Sequence, residues 1–195
     1  MSHYISLDLP SWGIEGTTIE GFGAATTVAD VSDDPLSPPI ESPIELDTYV
    51  LSTAIYAERA DGHILLLQRA EGTAMAGTFF LPGGIVDPGE TPWDAAEREL
   101  REESGLGFVG QPQMVGCYPI FVYGSDFLQL TFRGSVSGEL ATSHEHTNHR
   151  WMDPREWAAG FDPAGIESLS AGSPNIASML RGIADDAARY LAIVG

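Results

Sequence analysis

The sequence predicts an α/β domain, a mixed sheet held between helices, rather than a regular alternation of strand and helix. Three observations carry this. Apolar or alternating runs of strand length cluster between residues 48 and 153, separated by Gly, Pro, Asp and Ser. One helix-patterned segment interrupts them after Thr91, and a longer one closes the chain after Ser173. A hydrophobic content of 43% over 195 residues suits one packed domain with an extension.

The extension comes first. Residues 1–46 are rich in Gly, Ser, Thr, Pro and acid and hold no Lys or Arg, so they read as weakly structured. The domain is expected over 47–195. Residues 3–9, "HYISLDL", alternate enough for a short strand that can add to a sheet edge of this chain or of a second copy, which makes a homodimer compatible with the sequence. Gly13, Gly16, Gly21 and Gly23 neither follow a strand nor open a helix, so they do not read as a phosphate-binding loop.

From Thr48 the elements follow in order. "TYVLSTAIYAER" and "HILLLQR" read as two strands joined by a tight turn at "ADG". "EGTAMAG" is a loop and "TFFLPGG" a short strand running into a turn. Thr91 is an N-cap, Pro92 fits the first helical position, and the helix runs to about Ser104, where Gly105 stops it. "QMVGCYPIFVYG" and "DFLQLTFRGSVSG" make a further pair of strands. "HRWMD" is a short strand and "PREWAA" a short helix. After the cap Ser173, residues Ile176, Met179, Leu180, Ile183, Ala187, Tyr190 and Leu191 form the apolar stripe of a final helix.

Charge narrows the partners. The formal net charge is −19 and all nine basic residues are Arg. Such a field disfavours nucleic-acid backbones and anionic membranes, and it obliges a phosphate ligand to be held by local Arg or a metal. Arginine-favouring codon usage accounts for the missing Lys better than a high-salt interior, because the acidic fraction is modest. Cys117 is the one cysteine, so there is no internal disulfide and no thiolate cluster, and its apolar run predicts an inert core thiol. The first residues lack a basic segment followed by an apolar run, and no stretch of eighteen apolar residues occurs. The expectation is a soluble, cytoplasmic protein.

The helix after Pro82-Gly83-Gly84 is the informative part. Glu99, Glu102 and Glu103 fall within an arc of about 100° on a helix advancing 100° per residue. Trp93, Ala96 and Leu100 make a separate apolar strip. Asp94 with Arg98 and Glu97 with Arg101 stand four apart in the favourable order, and Arg98 also reaches Glu102. Like charges on one face repel, and a hard divalent cation relieves that: Mg²⁺ takes carboxylate oxygens, keeps waters and bridges to phosphates.

The spacing resembles a known motif. From Gly84 the chain has five residues to Glu90, seven more to Arg98-Glu99-Leu100, then Glu102-Glu103 and Gly105-Leu106. This resembles the Nudix box of the Nudix hydrolase superfamily at all nine defining positions, and the surrounding strands fit that family's α/β/α sandwich from Thr48 onward. The resemblance implies metal ligation by Glu99, Glu102, Glu103 and the Gly83 carbonyl, orientation of the carboxylates by Arg98, and a supporting role for Glu90. Gly84 and Gly105 would be structural. It implies a Mg²⁺- or Mn²⁺-dependent hydrolysis of a nucleoside diphosphate linked to a group X. The general base varies in the family; Glu99 or Glu102 is expected, with Glu145 in reserve.

Glu145 lies in "TSHEHTNHRWMD", where position 148 is Asn, so the His-Glu-x-x-His pairing of a zinc protease is absent. His144, His146 and His149 are expected to be loop residues. Arg69, at the end of its strand, is a candidate for a substrate phosphate or base; Phe79, Phe80 and Tyr123 are candidates to stack on a base. The leading reading is a pyrophosphohydrolase of nucleotide sugars, ADP-ribose or similar compounds. Its rivals are a house-cleaning hydrolase of oxidised or free nucleoside triphosphates and a non-catalytic nucleotide sensor.

Overall fold

A computed structural model describes Tyr49 to Gly195, apart from Ala74, Tyr123 and Gly124 and the side chain of Val122. The expected extension, its edge strand and its spaced glycines lie outside the described residues, as does Tyr123. The described elements are β1 (Val50–Glu58), β2 (Ile64–Arg69), β3 (Phe79–Phe80), α1 (Pro92–Ser104), β4 (Gly107–Phe108), β5 (Gln113–Val122), β6 (Ser125–Ser137), β7 (His146–Met152), α2 (Pro154–Ala159), α3 (Pro163–Ser170) and α4 (Pro174–Val194).

Four helices start by one rule. Thr91, Asp153, Asp162 and Ser173 each cap a helix whose first turn carries Pro, and each side chain accepts a backbone N–H two or three residues on. The proline lacks an N–H where none would be bonded, and the cap oxygen satisfies one that would otherwise be orphaned. Helix α3 was not expected from the sequence, although Asp162-Pro163 carries the same start signal as the other three. Gly105 ends α1 in the left-handed region at φ 71° and bonds back to the Arg101 carbonyl.

The sheet is mixed. Strand β1 runs parallel to β6, with Val50 opposite Phe127 and Glu58 opposite Ser135. Strands β5 and β6 are antiparallel, as are β2 with β3 and β2 with β7. The first two strands are joined by the expected tight turn and pair antiparallel beside it, Glu58 opposite Ile64. The rest of that β1 edge is taken by the Pro82–Val86 segment. Ile55 N–H donates to the Pro82 carbonyl at 2.9 Å, Thr53 N–H to the Gly84 carbonyl at 2.7 Å, and Val86 N–H to the Leu51 carbonyl at 3.0 Å. Where β1 and β2 splay, the chain therefore inserts the Pro-Gly-Gly turn, and this places the start of α1.

Alternation along the strands builds two cores. Ile55, Ala57, Leu65 and Leu67 face α1, packing with Ala96, Leu100 and Phe132. Tyr56, Ile64 and Leu66 face the other way, packing with Trp157, Phe161, Ile166 and Leu180 from α2, α3 and α4. Each such side chain contributes about 1.5–3 kcal/mol on full burial. The result is the expected helix–sheet–helix sandwich.

Two expectations are corrected here. Cys117 is exposed. Strand β5 packs one face on α4, so Tyr118 turns in while Cys117, Pro119 and Phe121 turn out. Strand β7 begins at His146, earlier than expected, because it pairs along β2 as far as Arg69. His146 and His149 are thus strand rather than loop residues, His146 buried and His149 exposed, whereas His144 lies in the preceding turn and is exposed.

Candidate active site

Helix α1 sets the carboxylates and the Pro-Gly-Gly turn receives them. Glu103, one helix turn beyond Glu99, is only 7% exposed, and its Oε2 accepts the Gly83 N–H at 2.9 Å. Gly83 sits at φ 152°, and a Cβ there would lie 2.1 Å from the Thr53 carbonyl oxygen. At Gly84 a Cβ would lie 2.3 Å from Glu99 Oε1. Both glycines are required by close approach, one of backbone to β1 and one of backbone to carboxylate.

Arg98 ties the group together. Its Nε and Nη2 donate to Glu90 at 3.0 and 2.9 Å, its Nη1 to Glu99 at 2.7 Å and Glu102 at 3.4 Å, and its Nη2 also to the Ile85 carbonyl at 3.0 Å. The fork matches a carboxylate in two-point geometry. Glu90 Oε2 in addition accepts the Asp87 N–H at 3.1 Å. The expected Asp94–Arg98 pair does not form: Asp94 Oδ2 accepts the Thr91 hydroxyl at 2.6 Å, and Arg98 turns to Glu90 and Glu99. The Glu97–Arg101 pair forms at 2.7 Å on the exposed side.

The three box glutamates are not equivalent. Glu102 is 62% exposed in its side chain. Burial raises the Glu99 carboxyl above the usual range against the pull of Arg98, and Glu102 and Glu145 push it further. Glu103 is pushed up to about 8, first by burial, partly held back by the Gly83 N–H, then raised by Glu99 and Glu145. On Glu90 the same pull of Arg98 prevails over burial, and that carboxyl is held below the usual range.

Glu145 is exposed, but close enough to influence both Glu99 and Glu103. Its carbonyl accepts the Ala70 N–H at 2.8 Å, which fixes the loop beside β2. His146 was missed by sequence reasoning. Its Nε2 lies 3.7 Å from Glu103 Oε1, and its Nδ1 lies 3.3 Å from Ser143 Oγ. The His146–Arg69 register, invisible locally, brings it there.

A pocket of about 350 Å³ opens beside this cluster. Arg69, Phe80 and Gly84 line it, and the far wall comes from α4. Phe79 carries the Arg150 guanidinium over its ring instead, 4.5 Å from the centroid.

A family model described as the NUDIX domain matches residues 48–170. The chain belongs to the Nudix hydrolase superfamily. This Nudix chain is 35% identical over 147 residues to a MutT-like protein of Streptomyces ambofaciens, across 73% of its own length and 86% of the relative. An ADP-ribose pyrophosphatase of Methanocaldococcus jannaschii is 48% identical over 46 residues, 24% of this chain and 27% of that one. An 8-oxo-dGTP diphosphatase of Haemophilus influenzae is 53% identical over 45 residues, 23% of this chain and 33% of that one. Among solved structures, the E. coli ORF135 protein superposes with a TM-score of 0.55 at 26% identity, covering 79% of this chain and 96% of that one. The MutT protein of Methanosarcina mazei Go1 gives 0.53 at 28% identity, over 62% and 89%. The chain is thus an enzyme of the Nudix pyrophosphohydrolase class. No described helix is long and apolar enough to cross a membrane.

The Nudix cluster can be tested against a cation on its own chemistry. Among the described residues no three His, Cys, Asp or Glu side chains are grouped so as to hold a metal ion; Arg98 holds Glu99 and the Gly83 N–H holds Glu103. The donors are nevertheless oxygen, and the push of Glu102 and Glu145 on Glu99, and of Glu99 and Glu145 on Glu103, is what a nearby positive charge would reverse. The donor set fits a hard divalent cation that keeps several of its waters.

Proposed function

We propose that this Nudix enzyme hydrolyses the diphosphate linkage of a nucleoside diphosphate joined to a further group, releasing a nucleoside monophosphate and the phosphorylated remainder. The observation that carries the reading is the carboxylate cluster of α1, with Glu99 held by the Arg98 guanidinium, Glu103 by the Gly83 N–H and Glu145 nearby, beside a pocket lined by Arg69 and Gly84.

Glu99, Glu102, Glu103 and the Gly83 carbonyl are the groups that would hold Mg²⁺ or Mn²⁺, with Glu145 beside them. The ion supplies charge neutralisation of the diphosphate and polarisation of a water. The chain supplies the rest. Arg98 fixes the Glu99 carboxylate and favours its ionised form against the effect of burial, while Glu90 anchors Arg98 from the other side. Arg69 adds positive charge at the pocket mouth for a phosphate in a chain of net charge −19. Glu99 or Glu102 accepts the proton of the attacking water, with Glu145 as the alternative. Phe80 lies in the pocket wall where a planar group can stack.

A second reading is favoured by the same pocket. Its largely apolar wall suits a nucleoside half, and this fits removal of oxidised or free nucleoside triphosphates equally well. A phosphate-release screen tests both. Nucleoside triphosphates, oxidised nucleotides, ADP-ribose, nucleotide sugars, dinucleotide cofactors and coenzyme A are assayed with Mg²⁺ and Mn²⁺, with a coupled phosphatase to reveal monoesters. Turnover of one class that disappears in Glu103→Gln supports the enzyme and names the substrate. Metal-dependent binding of a nucleotide without turnover of any compound replaces it with the sensor.

A further inference from the structure

The pocket holds a buried carboxylate that the reaction does not use. Asp186 lies on the face of α4 that packs on the sheet, between apolar positions, and is 2% exposed. A leucine there would extend the stripe at no desolvation cost, whereas a buried carboxyl needs partners. The fold makes room for it. At Gly116, where the β5–β6 register shifts, a Cβ would lie 2.6 Å from Asp186 Oδ1. The Tyr56 hydroxyl donates to Asp186 Oδ2 at 2.9 Å. The Thr131 hydroxyl stands beside the same carboxylate at Gly116; a carboxylate offers about four acceptor positions, so the phenol and this hydroxyl together still leave acceptor capacity on a side chain that lines the pocket.

Two further polar groups of that pocket can donate. Trp157 lines it, and its buried Nε1 has no hydrogen-bond partner among the described residues. Gln129 lines it too and accepts the Ser52 hydroxyl at 3.2 Å through Oε1, which leaves its amide nitrogen as a donor. Around them are Ala54, Met179 and Ile183. An acceptor and donors in an apolar wall complement a planar heterocycle whose edge carries both an N–H and an acceptor. A sugar would leave many hydroxyls unpaired against that wall, and an alkyl chain would leave Asp186 without a new donor.

We propose that the pocket takes the nucleobase of a nucleotide substrate and that Asp186 determines base specificity by accepting a hydrogen bond from a base N–H. The inference rests on the nucleotide diphosphatase reading above. It separates candidate substrates by their base half, not by the group beyond the diphosphate.

The test compares wild type, Asp186→Asn and Trp157→Phe. kcat/KM is measured with Mg²⁺ on GTP, ITP, ATP and UTP, on ADP-ribose, a GDP-sugar and a UDP-sugar, and on the base-less 5-phosphoribosyl diphosphate. Binding of GMP, IMP, AMP and UMP is measured in parallel by calorimetry. In Asp186→Asn, which turns an acceptor partly into a donor, the ratio of rates between lactam bases and adenine should change at least tenfold. A folded Asp186→Asn protein with the wild-type ratio overturns the proposal. Should Asp186→Asn not fold, Trp157→Phe is decisive, since the N–H it removes has no partner among the described residues. It should lower the base-containing to base-less rate ratio about tenfold, and an unchanged ratio overturns the proposal. If nothing is hydrolysed but monophosphates bind with a base preference that Asp186→Asn alters, the pocket assignment stands and the diphosphatase reading falls. If wild type neither binds nor cleaves any of them, both fall.

Discussion

The Glu103 carboxylate accepts the backbone N–H of Gly83 at 2.9 Å, joining the last turn of α1 to the turn that precedes that helix. The bond closes the site on itself, and it depends on Gly83 lying against β1 with no side chain. Gly83→Ala should therefore lose about 1–3 kcal/mol or more through the enforced backbone conformation and clash, and activity with it. A thermal melt and a rate measurement check this; a wild-type melting temperature would mean the turn is held otherwise.

Glu103→Gln should keep the fold and lower turnover by about a hundredfold or more, the scale of losing a metal or base carboxylate. The same variant should lose most of the rise in melting temperature that Mg²⁺ or Mn²⁺ gives wild type, because a ligand that binds the folded state stabilises it. Near-normal activity in folded, metal-loaded Glu103→Gln would remove this residue from the site.

The metal-free protein should depend on pH through the same group. Glu103 titrates near 8 when folded, against an ordinary value of 4.5. Below 4.5 it is protonated in both states and its burial is not penalised by charge. Between 4.5 and 8 the unfolded chain has released the proton and the folded chain has not, so stability falls as pH rises, by at most about 1.4 kcal/mol per pH unit from this group. Chemical denaturation in chelator from pH 5 to 8 should show a flatter profile for Glu103→Gln than for wild type. Parallel profiles would show that Glu103 titrates normally.

Arg98 divides two neighbours that look alike in sequence. Glu90→Gln removes one arm of its two-point grip and should lower kcat about tenfold through a poorly held Glu99, with a smaller effect on KM. Asp94→Asn should leave kcat within about twofold, since Asp94 bonds Thr91 rather than Arg98. Equal losses in both variants would mean that the pairing in solution differs.

Cys117 should react with a thiol reagent in the native protein, one equivalent without denaturant, because it lies on the outward face of β5. Protection until unfolding would mean that this face is covered.

Local grammar made much of this legible. Thr91, Pro92 and Gly105 define α1 to the residue, Ser173 starts α4, and the spacing from Gly84 to Leu106 identifies the motif, because capping, helix termination and ligand spacing depend on residues near in sequence. Helix α3 carried its signal too, in Asp162-Pro163.

The sequence by itself determined the fold class, the family, and the face on which Glu99, Glu102 and Glu103 lie. The tertiary structure alone decided that Glu103 is buried and Glu102 open, that β2 leaves β1 so the Pro82–Val86 segment can take its place, that His146 enters beside Glu103, and that Asp186 is buried against Gly116. A helical period tells which residues share a side. What that side meets depends on strand pairings made with residues distant in the chain, and these set burial, and with it the charge each carboxylate can hold.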